Sequence, residues 1–261
     1  MLQLNRILNQ MKGLLYSIRL IGLFFLLILG SSLTGNAQNS SFEFWPETDI
    51  WYVLSPSWRV EAFIPITKYN ESKNRDLNIY LQADYKWGKT EHSFYGRLRN
   101  ENRVQQMKAW MVRAGFMEGW SLGDHAESYT EDMLFAEIHK RVPLGEKFLL
   151  SQRIRVETRW VGQDPKFSYR FRYRIMLERE FNPGKSSLVP YVNVEPYWDS
   201  RYSVFNRVRA IGGATINWGP RFAYEANVTY QYDTHYDSDN LYALNVILHV
   251  FFETKKAQAK K

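Results

Sequence analysis

Between residues 148 and 160 the chain sets Leu150, Ile154, Val156 and Trp160 against Arg153, Arg155, Glu157 and Arg159. A period of two puts the two sets on opposite faces of a β-strand. Residues 167–181 repeat the pattern, with Tyr169, Phe171, Tyr173, Ile175 and Leu177 against Arg170, Arg172, Arg174 and Glu178. Residues 204–218 set Val208, Ala210, Ala214, Ile216 and Trp218 against Arg207 and Arg209. Segments 58–66, 77–87, 221–232 and 241–252 alternate with milder polar faces. Few folds accept such strands. A guanidinium at the midplane of a lipid bilayer costs about 2–4 kcal/mol, so three in one strand cannot face lipid. A dry core is worse unless every charge is paired. A sheet closed on itself, apolar outside and charged within, satisfies both faces.

The alternating segments are long, many above ten residues, near what a tilted membrane-spanning strand needs. Trp58, Trp87, Trp160, Trp198 and Trp218 fall at their ends, as aromatic belts do at headgroup level. A mean hydropathy of −0.44 is too low for a helical membrane protein but suits a barrel whose lumen-facing half is polar. The expected fold is all-β: an antiparallel transmembrane (outer-membrane) β-barrel of ten to twelve strands over residues 38–252, following a cleaved signal peptide. A soluble periplasmic sheet is the alternative. Short turns at 55–57, 87–89, 143–145, 182–184 and 219–220 separate the segments, with longer polar connections at 70–76, 162–166 and 233–240. Residues 104–120 fit a helical and a strand period equally, and 119–132 reads as a long loop.

Residues 1–37 read as a leader. Arg6, Lys12 and Arg19 precede an apolar run at 20–29, and Gly35-Asn36-Ala37 offers small residues for cleavage before Gln38. Ten apolar residues are about half of a spanning helix. The expected location is the outer membrane of a Gram-negative-type bacterium. The formal net charge is +7. Removing the three leader cations leaves +4, much of it in the basic tail at 253–261, so the charge does not point to nucleic acid. The absence of cysteine rules out disulfide, thiol and lipobox chemistry.

Arg153-Ile154-Arg155-Val156-Glu157-Thr158-Arg159, Arg170-Phe171-Arg172-Tyr173-Arg174, Val194-Glu195-Pro196-Tyr197 and Asn206-Arg207-Val208-Arg209 occur in this order, after an opening Phe44-Trp45-Pro46-Glu47 and Leu54-Ser55-Pro56-Ser57-Trp58-Arg59. In that order they resemble the barrel family known as domain of unknown function 2490, across nearly all of the mature chain. The resemblance implies an outer-membrane barrel and brings no catalytic residues. The basic tail beyond Phe252 departs from the many barrels that end on their last aromatic.

The candidate functional feature is the charge ladder Arg153, Arg155, Glu157, Arg159, Arg170, Arg172, Arg174, Glu178, Glu195, Arg207 and Arg209. One reading is a narrow anion-biased pore or ligand-binding barrel for a small anionic solute, since fixed charge selects by sign and forked guanidiniums suit phosphate and carboxylate. The other is a salt-bridge-plugged lumen in a structural or surface-interaction barrel. A lipid-modifying barrel enzyme needs a nucleophile beside a base. The histidines His92, His125, His139, His235 and His249 form no such motif, and His92-Ser93 point to opposite faces. The acidic segment 233–240 lacks the glycine and late glutamate of a calcium loop. The expectation is therefore no enzyme, no cofactor and no metal, with outer-membrane lipid as the solvent partner of a monomer.

Overall fold

The computed structural model describes residues 40–68, 75–88, 108–122, 130–145, 148–162, 166–181, 187–218, 221–235 and 240–254. Met1–Ala37, the tail at 255–261, His92 and His125 lie outside them. Eleven strands run in chain order among the described residues: β1 (Ser40–Val53), β2 (Trp58–Lys68), β3 (Arg75–Trp87), β4 (Trp110–Leu122), β5 (Thr130–Leu144), β6 (Phe148–Gly162), β7 (Lys166–Arg179), β8 (Ser187–Asp199), β9 (Val204–Trp218), β10 (Phe222–Asp233) and β11 (Asn240–Glu253). They close into one barrel, each antiparallel to its chain neighbours. The seam differs. β1 and β11 pair in parallel, Ser40 opposite Asn240 and Val53 opposite Glu253. In an up-and-down order an odd strand number makes the first and last strands run the same way, so the closing pair must be parallel. The rim holding Ser40 is called the N-rim and the rim holding Glu253 the C-rim.

Burial follows the two-residue period. Along β5, Met133, Phe135, Glu137 and His139 are buried, while Leu134, Ala136 and Ile138 between them are exposed. The exposed face is mainly apolar on every strand, with polar exceptions such as Glu118, Asp132 and Lys140. Its middle band is largely aliphatic, with Leu81, Val112, Ile138, Ile154, Val156 and Val194 all exposed beside Phe116, Phe171 and Tyr173. Aromatics flank that band at both ends. Trp58, Trp87, Trp218, Phe222 and Phe252 sit toward the C-rim, and Phe42, Phe167, Tyr169, Phe205 and Tyr232 toward the N-rim. An aliphatic band between two aromatic girdles is the outer surface of a membrane barrel. Strands of 11 to 15 residues, tilted by about 40°, build a wall about 30 Å tall.

Residues 108–122 resolve the ambiguity between helix and strand. They form β4, which ends at Leu122, and β5 begins at Thr130, so both ends of the loop expected over 119–132 are strand, and 123–129 lie outside the described residues. A helix here would leave the edges of β3 and β5 unpaired. The strand period instead sends Met111, Arg113 and Met117 inward and Val112 and Phe116 outward. β3 ends and β4 begins at the C-rim, the rim of the short turns. Proline interrupts two ladders: β2–β3 pairing skips the stretch around Pro65, and β7–β8 pairing skips the stretch around Pro196, where the ring removes a donor. The second gap lies beside Glu195, inside the lumen site.

Candidate functional site: the charged lumen

Strand register turns scattered charges into one stripe. Arg59, Asp84, Arg113, Glu137, Arg155, Arg172, Tyr197, Arg207 and Asp233 are directly opposite one another on successive strands from β2 to β10. Because the strands are tilted, the row winds from the C-rim at Arg59 to the N-rim at Asp233. Where signs alternate, neighbours pair. Asp84 accepts from Arg59 and, at 2.6 Å, from Arg113, and Arg155 Nη1 donates to Glu137 at 2.8 Å. Arg207 Nε donates to Asp233 at 2.6 Å.

The register also sets like charges face to face, Arg153 against Arg174 and Arg155 against Arg172. Directly opposed like charges are unfavourable on a sheet, so carboxylates from adjacent rows must fill in. Glu157, 1% exposed, accepts from Arg155, Arg170 and Arg172. Glu195 accepts from Arg153 and, at 3.0 Å, from Arg172. Arg159 bridges Glu131 at 2.6 Å and Asp199 at 3.3 Å, and Glu178 accepts from Ser151 at 3.0 Å. Tyr197 sits among four guanidiniums, with Arg170, Arg172, Arg207 and Arg209 between 4.5 and 5.6 Å from its ring centre. Its hydroxyl donates to Glu195 at 3.2 Å. All eleven ladder residues thus line the interior, with Arg174 facing the C-rim half. Sequence reading alone missed the stripe's other members, Arg59, Asp84, Arg113, Glu137 and Asp233. Their strands alternate too, but only the register puts them in one row.

Charge is segregated around the wall. β6 to β9 present Arg153, Arg155, Arg159, Arg170, Arg172, Arg174, Arg207 and Arg209 against Glu157, Glu178, Glu195 and Asp199. β10, β11 and β1 to β3 present Glu225, Asp233, Glu43, Glu47, Asp49, Glu61, Asp76 and Asp84 against Arg59 and Lys86, with His249 between Asp49 at 2.8 Å and Glu225 at 3.4 Å. A positive wall therefore faces a negative one.

Side chains also cross the lumen. The Arg113 guanidinium on β4 lies 5.8 Å from the Trp51 ring on β1, and that of Arg209 on β9 lies 5.4 Å from the Trp45 ring, also on β1. The first contact borders the C-rim half of the lumen and the second the N-rim half, and a cavity lies in each half. The N-rim cavity holds about 470 Å3 and is lined by nine arginines, including Arg159, Arg170, Arg172, Arg207 and Arg209, but only three carboxylates, Glu47, Asp76 and Glu131. The C-rim cavity holds about 220 Å3 and is lined by a mixture of Arg59, Arg141, Glu61, Glu178, His139 and His249. They share Glu47, Phe63, Gln82, Arg113 and Arg153. His139 pairs with Glu137 at 2.6 Å. Neither lumen histidine has a serine hydroxyl among its hydrogen-bond partners in the described residues. No cluster of metal-ligating side chains occurs among the described residues.

A family model described as "Protein of unknown function (DUF2490)" matches residues 107–242, a span that contains the whole arginine ladder. No curated protein matches the chain. Among solved structures, LpxR from Salmonella typhimurium is similar at a TM-score of 0.47 and 8% identity, over 78% of this chain and 87% of that one. At those values the likeness assigns neither a substrate nor residue roles.

Proposed function

The chain belongs to the DUF2490 family of proteins of unknown function, and on that premise we propose that it is an exported outer-membrane barrel that retains a small anionic solute in the N-rim half of its lumen. The observation that carries this reading is the lining of the N-rim cavity, nine arginines against three carboxylates. Apart from Glu131, which holds Arg159 from within the lining, the carboxylates that hold these arginines, Glu157, Glu195, Asp199 and Asp233 among them, do not line the cavity, so the guanidiniums dominate its surface. Guanidinium forks match the oxygens of phosphate and carboxylate. The contacts from β1 to β4 and from β1 to β9, at two heights in the lumen, favour retention over free conduction. A narrow barrel filled by its own side chains is the expected state at this strand number.

The test pairs binding with conductance. Refolded mature chain in detergent is titrated with inorganic phosphate by calorimetry, and the same material is inserted into a planar bilayer. Saturable binding with little steady current supports the proposal. Steady anion-selective openings would replace it with a pore. Insertion with neither binding nor current would leave a plugged barrel acting through its loops.

A further inference from the structure

Two groups that line the N-rim cavity, of opposite kind, have no ion-pair partner among the described residues. Arg209 Nε donates to the neutral Gln231 at 2.6 Å, and its guanidinium stacks near Trp45 and Tyr197. It has no carboxylate partner among the described residues, although Glu195 is directly opposite it on β8. Glu195 is already taken by Arg153 and Arg172. Glu47 on β1 lines the same cavity and has no cation within ion-pair reach among the described residues. Its side chain shares a hydrogen bond with Asp49, whose ion-pair partner is His249, so its contacts on this side are to another acid and not to a cation.

The two groups line one cavity. Trp45, which Arg209 overlies, is the inward residue next to Glu47 on β1. Two residues along a strand span about 7 Å. Leaving both groups bare is costly in a narrow lumen, and each supplies what the other's ligand end would need. Arg170 and Arg207 stand beside Arg209 around Tyr197, so several forked donors converge at the cationic end, enough for the three oxygens of a phosphate.

We propose that the N-rim cavity binds a small zwitterion, a phosphate group held at Arg209 and an ammonium group held at Glu47. This rests on the anion-binding reading above and narrows it to one class of ligand. The positive wall of β6–β9 facing the negative wall of β10–β3 would orient such a dipole along the lumen's transverse field.

The test compares O-phosphoethanolamine with ethyl phosphate, which keeps the phosphate and lacks the ammonium, on full-length protein purified from membranes in detergent. The zwitterion should bind about 10- to 100-fold more tightly, the worth of one charged hydrogen bond. Glu47→Gln should bring the two ligands to the same affinity without weakening ethyl phosphate, and Arg209→Gln should weaken both. Equal binding of the two ligands to the unaltered protein overturns the proposal while leaving anion retention intact, and this comparison needs no variant to fold. Binding of neither overturns both. Competition by short-chain phosphatidylethanolamine in the same micelles would identify a lipid headgroup as the source of the zwitterion; no competition would identify a free solute.

Discussion

Glu157→Gln separates a dry, side-chain-filled lumen from a wet one. The Glu157 carboxylate takes Arg155 Nε and Arg172 Nη1 on one oxygen and Arg170 Nε on the other. Its side chain is fully buried, and those of its three partners are between 5% and 13% exposed. Glutamine keeps the shape but removes the charge and turns an amide donor toward guanidiniums that are themselves only donors. Stripping one partner from a buried ion pair costs about 3–5 kcal/mol. The slight exposure of Arg170 and Arg172 puts the expected loss near the lower end, about 3 kcal/mol, or roughly a hundredfold in the folding equilibrium. In a hydrated channel each pair would be worth only about 0–1 kcal/mol. The assay is reversible urea unfolding in liposomes, followed by tryptophan fluorescence. Arg170→Gln and the double variant complete a cycle, and the double variant should lose less than the sum of the singles. A loss below about 1 kcal/mol with an additive double variant would refute the filled lumen, since water would then be screening these charges.

Val194→Arg, in the middle of the exposed face of β8 where Val194 is 51% exposed, should cost about 2–4 kcal/mol of folding stability in liposomes; a soluble sheet would tolerate it nearly unchanged. Gly213→Ala should cost about 1–3 kcal/mol in the same unfolding assay, because its methyl group would meet the Asn227 side chain and lie 2.6 Å from the Ala226 carbonyl oxygen. Ser203→Gly should stabilise the barrel by about 0.5–1 kcal/mol, because Ser203 holds a φ of 57° in the tight β8–β9 turn; a drop in the urea midpoint would contradict that.

The barrel was legible because its period is two and its charged face is extreme. Arg170, Arg172 and Arg174 leave one arrangement open to β7, and the same holds for Arg153, Arg155 and Arg159 on β6. The stretch at 108–122 was harder because Met111, Ala114 and Met117 also lie three apart, and local period alone cannot choose. What decides is non-local: β3 and β5 each need an edge partner, and Gly115 lets β4 pack where a side chain would stand 2.5 Å from the Leu81 carbonyl oxygen. The ladder's residues could be named from sequence, but not its balance. The charges of Asp84, Glu137 and Asp233 look incidental on their own strands, and only the register places them opposite Arg113, Arg155 and Arg207. The parallel seam follows from strand number, which no single segment reveals.

Register also explains how the stability of this lumen and the proposed binding are joined. A row that alternated in sign around the whole barrel would neutralise itself and leave no group for a ligand. The row here alternates from Arg59 to Arg155 and then breaks, with Arg155 facing Arg172 and Tyr197 separating Arg172 from Arg207. At that break the wall draws carboxylates from adjacent rows, and Glu157 and Glu195 serve four arginines between them, sharing Arg172. Arg209, a neighbour of this region, is left with an amide instead of a carboxylate. The break lies in the N-rim half, where the larger cavity opens, while the alternating stretch borders the smaller one. The alternating stretch therefore neutralises its own row, and the charge that a ligand can answer is that of Arg209, beside the break.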